Sequence, residues 1–323
     1  MQYRRTPLLM TMLAVPFLIT ACVESDDSSA GGETGQLSMA VTDAPVDDAS
    51  AVVVRFTSIE LNPANGDRIT IEYDEPREID LLALQGPDHE WLFEDEEVPA
   101  GDYDWMRLHV EPDETVDGPP ASNMGTTSYI AFEDRPDEEY RLAIPSGLQT
   151  GLKLVSGFTV PADQAASFTV DFDLRKAITN PSGAPWQEMS YYFLRPALRL
   201  VDNSDVGHLE GEVDPALVSA NNEACAGGDA VYVFDDAEQD PVDIRDEEGD
   251  PVTTALVEQT EESAAEGTEA WVYRVGFLTA GEYRVAFTCD ASLDDPEEAN
   301  DDVAFQAEAV VTIEAGETTR QDL

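Results

Sequence analysis

The sequence predicts an all-β chain: two antiparallel β-sandwich domains behind an export segment and a short flexible tether. Three observations carry this expectation. From Leu37 onward, short runs rich in Val, Ile, Phe, Tyr and Thr alternate with Gly, Pro, Asn and Asp. No stretch after the export segment sustains an apolar period of 3.6 residues with caps; the best helical candidate, residues 80–84, is a single turn. The 323 residues are 42% hydrophobic and 8% aromatic, enough to bury cores, and their number fits about two domains of 100–200 residues each.

Residues 1–21 read as a secretory signal. Arg4 and Arg5 supply the positive start, and residues 8–20 form an apolar stretch too short to span a bilayer as a stable helix. The stretch ends in Ile19-Thr20-Ala21-Cys22, which resembles the bacterial lipobox. That resemblance implies cleavage before Cys22, lipidation of Cys22 and a membrane held through several N-terminal acyl chains. Val23 follows Cys22 where inner-membrane retention would place Asp, so the implied address is the outer membrane. A plain signal peptide with an incidental cysteine is the alternative. Residues 22–36 are small, polar and acidic, a flexible tether spanning about 20 Å.

The first domain is expected over residues 37–202. Its strands include 51–56, 68–73, 105–110 and 167–174. In the 105–110 run, alternation sets Trp105, Arg107 and His109 on one face and Met106, Leu108 and Val110 on the other. A short polar linker, 202–206, leads to a second domain over 207–323 with strands at 230–234, 270–277 and 283–288. The two domains share motifs. Ala51-Val52-Val53-Val54 is echoed by Ala230-Val231-Tyr232-Val233, and Ala100-Gly101-Asp102-Tyr103 by Ala280-Gly281-Glu282-Tyr283. Each Tyr is placed to dock its hydroxyl on nearby backbone, as in a tyrosine corner. Duplication explains the echo; shared sandwich architecture without common ancestry is the alternative.

Cys225 and Cys289 remain after Cys22 is assigned to lipid. An exported chain meets an oxidising compartment, so an even pair within one domain reads as a disulfide.

Residues 36–201 resemble a bacterial lipoprotein family known as domain of unknown function 4382. The resemblance rests on Val41-Thr42-Asp43-Ala44-Pro45, residues 79–84, 99–103, 146–147 and 150–153, Asp171-Phe172-Asp173-Leu174-Arg175-Lys176 and residues 194–198. No activity comes with it. Residues 207–323 resemble carboxypeptidase-regulatory-like or transthyretin-like sandwiches through residues 207–213, 278–283 and Ala315-Gly316. That resemblance implies a small non-catalytic β-module, so the expected class is immunoglobulin-like or transthyretin-like sandwiches.

The chemistry-bearing residues are sparse. The three His, at 89, 109 and 208, lack metal-ligand spacing, and no nucleophile elbow, phosphate loop or dinucleotide fingerprint occurs. No catalytic residue is assigned, and the chain is expected not to be an enzyme. A hydrolase working through paired carboxylates is the remote alternative, because 68 acids offer many pairs. No cofactor is expected, with Ca²⁺ as the possible exception. Acids crowd several loops, and Asp43, Asp47 and Asp48 form the preferred candidate, against the alternative of a solvated acidic loop. Among exposed rings Trp186 is the ligand-binding candidate, for a glycan or surface-protein partner.

The charge sets limits. The chain carries 68 acids and 17 bases, a net −51, and only Lys153 and Lys176 are lysines. Such a chain does not bind nucleic acid through phosphates, nor an anionic lipid surface by charge. The excess is densest in residues 207–323, with 31 acids against 4 bases. This favours solvent adaptation of a secreted module over any single acidic site. The function expected is a non-enzymatic surface- or periplasm-facing lipoprotein with a structural or binding role. A carbohydrate-binding or Ca²⁺-dependent adhesion module is the alternative.

Overall fold

The computed structural model describes residues 33–46, 48–113, 125–145, 151–179, 190–245, 249–260, 270–296 and 302–323. Within them the alternating runs become strands. The first part contains β1 (Thr34–Ala44), β2 (Ala49–Pro63), β3 (Ile69–Asp80), β4 (Glu90–Pro99) and β5 (Gly101–Val110). It continues with β6 (Gly125–Phe132), β7 (Arg135–Ala143), β8 (Leu152–Leu154), β9 (Phe158–Val160) and β10 (Ala165–Asp173). After one helical turn, α1 (Leu174–Ala177), come β11 (Ile178–Thr179), β12 (Tyr191–Leu194) and β13 (Leu198–Asp202). The second part holds β14 (Val206–Val213), β15 (Ala230–Phe234), β16 (Thr253–Thr260), β17 (Ala270–Thr279), β18 (Gly281–Thr288), β19 (Phe305–Ile313) and β20 (Thr318–Arg320). The expected single turn near residue 80 is present as a 3₁₀ turn, Leu81–Ala83.

The first part makes a four-stranded sheet, β13-β10-β1-β4, and a larger one, β11-β12-β7-β6-β2-β5-β8, with β3 on β2 and β9 on β5. Their inner faces share one core. Leu37, Met39, Val41, Val170 and Phe172 come from the first sheet, and Val52, Phe56, Ile59, Met106 and Leu108 from the second. Phe56 and Phe172 meet across the two layers at 6.5 Å between ring centroids. Burying such side chains contributes about 1.5–3 kcal/mol each. The faces of β5 divide as alternation predicts, with Met106, Leu108 and Val110 buried. The second part forms a seven-stranded sheet, β19-β18-β15-β16-β17-β14-β20. It folds over itself because β16 changes partner midway, from β15 up to Leu256 to β17 from Val257 onward.

The fold is therefore all-β sandwich. Its ladders are antiparallel except for three parallel pairs, β1–β10, β7–β12 and β14–β20. Two of those belong to a pairing scheme that occurs twice. The opening strand of each part pairs antiparallel with one strand and parallel with a late one: β1 with β4 and β10, β14 with β17 and β20. Likewise β5 lies against β2 and β9 as β18 lies against β15 and β19. Gly35 and Gly207 occupy matching places, each with a backbone carbonyl (Pro161, Glu314) within 2.4 Å of where a Cβ would start. The repeated Ala-Gly-acid-Tyr motif turns the chain from β4 into β5 and from β17 into β18. Tyr103 donates its hydroxyl to the Pro99 carbonyl at 2.8 Å, and Tyr283 donates to that of Thr279 at 2.7 Å. Both are tyrosine corners four residues deep.

No strand ladder joins the two parts among the described residues. Residues Glu33–Leu323 are nevertheless one compact unit, because side chains and loops pack between them. Val201, Val206 and Phe277 form a small apolar cluster at the crossing. At its tightest point two backbones touch: a Cβ on Gly276 would lie 1.8 Å from the Gly86 carbonyl oxygen.

Candidate functional site

The motif residues 41–45 and 171–176 come together where the two parts meet. Parallel pairing of β1 with β10 sets Thr42 beside Asp171 and Asp43 beside Phe172. Asp43 has the same strand parity as Leu37, Met39 and Val41, and it is 5% exposed. Neither of its carboxylate oxygens has a hydrogen-bond partner among the described residues. Burial pushes its pKa well up, and the like charges of Asp171 and Asp173 add to this; the Leu174 N–H opposes the shift without reaching hydrogen-bond geometry.

The neighbouring acids are provided for. Arg199, opposite Asp171 on β13, places Nε 2.6 Å from Asp171 Oδ2. Burial still raises the Asp171 pKa, with Arg199 working against it. Asp173 caps α1: its Oδ1 accepts the Lys176 N–H at 3.2 Å, and its Oδ2 lies 3.2 Å from Lys176 Nζ.

The basic pair ending this motif reaches into the second part. Lys176 Nζ donates to the Pro251 carbonyl at 2.5 Å. Arg175, 4% exposed, donates to the Ala291 carbonyl at 3.3 Å and stands 5.7 Å from the Tyr232 ring centroid. Tyr232 in turn donates to Asp294 Oδ2 at 2.6 Å, and Ile244 N–H lies 3.2 Å from both Asp294 oxygens. Burial raises the Asp294 pKa to about 6 against these favourable contacts. On the other flank, Phe277, at φ +53°, packs edge-on to His89 and His208. His208 Nδ1 accepts the Phe277 N–H at 3.3 Å, and burial, then His89, lowers its pKa.

The Cys225–Cys289 disulfide is formed, at 64 residues' separation. In the chain-entropy description a loop of that size stabilises by about 4 kcal/mol. It anchors the segment that carries Ala291 and Asp294 to the loop before β15.

Of the calcium candidates, Asp43 is buried at the seam, Asp48 is exposed at φ +60°, and Asp47 lies outside the described residues. Cys22 and Trp186 also lie outside them. Tyr192 is buried against Phe132 and Tyr140. Trp105 is the half-exposed ring of note: Arg68, Arg107 and Lys153 stand 5.1, 4.8 and 4.6 Å from its centroid. Beneath them Glu60 takes Arg68 on one oxygen and Arg107 on the other, with His109 Nε2 3.4 Å away.

Sequence reasoning missed the roles of Arg175 and Lys176. One signal was available for both: a basic pair closes an acidic, apolar strand in a chain with two lysines. Chemically the seam can hold a cation or a proton.

A family model described as a domain of unknown function, DUF4382, matches residues 34–196. A search of curated protein sequences gave no match. A comparison with solved structures returned distant matches, of which three follow. The TIE protein of Bacillus anthracis is 12% identical, with 90% of this chain and 34% of that one covered, at a TM-score of 0.19. A leucine-rich repeat protein from Bacteroides thetaiotaomicron is 12% identical, with 90% and 26% covered, at 0.21. The minor pilin of Streptococcus agalactiae is 10% identical, with 88% and 94% covered, at 0.19. The chain thus spans about a third and a quarter of the first two, and no functional statement rests on any of the three.

Proposed function

The chain belongs to the DUF4382 family through residues 34–196, and on that premise we propose that it is a non-enzymatic structural or binding lipoprotein of the cell envelope. One observation carries the reading. The charged residues of the 171–176 motif are committed to holding the fold together: Asp171 to Arg199, Asp173 to α1, Arg175 and Lys176 to carbonyls of the second part. Catalytic residues would instead face an open cleft with their reactive atoms free. The second part acts as a module docked on the family domain, of the carboxypeptidase-regulatory-like kind. Cys22 carries the lipid, and the outer membrane is the address. No helix among the described residues is long and apolar enough to cross a membrane.

The test has two arms. Radiolabelled palmitate should enter the wild-type chain and not Cys22→Ser. Purified protein should show no turnover on polysaccharide and ester panels, and Arg175→Ala with Lys176→Ala should speed proteolysis of the second part. Turnover abolished by a substitution in this seam would overturn the reading.

Trp105 favours one refinement, a glycan- or protein-binding face. An indole flanked by three cations and by Glu60 offers a flat apolar surface ringed with hydrogen-bonding groups. Glycan-array binding that Trp105→Ala removes would support it, with Trp186→Ala run in parallel. Binding indifferent to both changes would remove it.

A further inference from the structure

A small, partly open cavity lies at the seam. Thr42, Asp43 and Asp171 bound it on one side, and Thr253 and Thr254 on the other. It has room for about one water or one bare ion. Two of its side chains are unpartnered. Asp43 has neither oxygen hydrogen-bonded, and the Thr254 hydroxyl, 2% exposed, has no partner either. An orphan carboxylate and an orphan hydroxyl facing one void, from two separate parts of the fold, describe a gap with a ligand's worth of polar demand.

The charges say what kind of ligand. Asp171 and Asp173 have Arg199 and Lys176, whereas Asp43 has no basic side chain within ion-pair distance among the described residues. Arg274 also lines the cavity; its side chain is largely exposed and makes no ion pair among them. Besides the Arg274 guanidinium, the lining offers carboxylate, hydroxyl and carbonyl oxygens with no imidazole or thiolate, donors of the kind a hard cation takes. Among the described residues no three His, Cys, Asp or Glu side chains converge as a metal cage. The shell must therefore be completed by hydroxyls, carbonyls and water. Ca²⁺ accepts such mixed, irregular shells, whereas Mg²⁺ keeps its water and requires near-octahedral order.

We propose that this cavity is a Ca²⁺ site that ties the two parts of the fold together, with Asp43 as the anionic ligand and Thr254 Oγ1 as the ligand from across the seam. The ion neutralises a buried carboxylate that has no basic partner among the described residues. It also bridges β1 and β16, which no strand ladder connects. With a single carboxylate fully available, affinity falls in the weak range of extracellular modules, a Kd of about 10⁻⁴–10⁻³ M.

The experiment uses the full chain, stripped with EDTA and returned to buffer. Thermal unfolding and titration calorimetry are run with CaCl₂, with MgCl₂, and with NaCl at matched ionic strength. In about 10 mM Ca²⁺ the wild type should melt about 3 °C or more higher than in either control. Asp43→Asn, which keeps shape and removes charge, should lose the shift and bind at least about tenfold more weakly. Thr254→Val should weaken binding while leaving the carboxylate in place, and it serves where the first variant folds poorly. Two outcomes overturn the site: no Ca²⁺-specific shift in the wild type, or an equal shift in both variants.

Discussion

Replacing Asp294 with Asn should remove a defined component of the pH dependence of stability. The Asp294 carboxyl is half-buried, accepts from Tyr232 and faces the Ile244 N–H, yet burial lifts its pKa from 3.8 to about 6. The folded state therefore holds this proton more tightly than the unfolded chain does. The stabilisation is fully present below the unfolded value and is lost as pH rises through the folded one. A shift of roughly two units corresponds to about 3 kcal/mol, an upper figure because the group keeps some contact with solvent. Many other carboxylates titrate in the same window, so the informative quantity is the difference between wild type and Asp294→Asn. Asn carries no charge at any pH. Relative to the wild type, the variant should gain up to about 3 kcal/mol between about pH 4 and about pH 7. Urea unfolding across that range, read as midpoint times slope with an unchanged slope, measures it. A difference constant within about 0.5 kcal/mol would show that burial does not raise this pKa. A difference of opposite sign would mean that Tyr232 and Ile244 stabilise the carboxylate more than burial penalises it.

Three further outcomes are expected. Tyr103→Phe and Tyr283→Phe should each cost about 1 kcal/mol, since each removes one hydroxyl-to-carbonyl bond at a matching corner; chemical denaturation of both checks this, and a neutral result at either would break the equivalence. Gly276→Ala should cost about 2 kcal/mol or more, because its Cβ would overlap the Gly86 carbonyl and force the two parts apart; an unchanged melting curve would show that the seam gives freely. Raising NaCl from about 0.05 M to about 2 M should raise the melting temperature by screening a net charge of −51, and a flat or falling curve would contradict the reading of the acidity as solvent adaptation.

Much of the fold was legible. Period-two alternation identified β2, β5, β15 and β18 and sorted the faces of β5, because side-chain direction along a strand depends on local geometry alone. The corner motif announced itself twice, since its hydrogen bond spans four residues. The disulfide followed from cysteine count and compartment. Strand direction was not legible: a strand pairing parallel, as β1 does with β10, has the same alternation as one pairing antiparallel. Nor was α1, whose four residues are held by the Asp173 cap and by contacts from distant segments rather than by any period of their own. Sequence proximity grouped Asp43 with Asp47 and Asp48; pairing of distant strands, which no local pattern records, also sets it beside Asp171 and Thr254.

By itself the amino-acid sequence determined the class of this protein, its repeated corners, its disulfide and its acidity, since each depends on nearby residues or on composition. Only the tertiary structure decided that the second part is docked on the family domain, and that Arg175, Lys176 and Asp43 meet there. One of those contacts, Arg175 to Ala291, joins residues 116 positions apart. Their energetics turn on which charges lose water and which find a partner when the two parts close. No local pattern records that outcome.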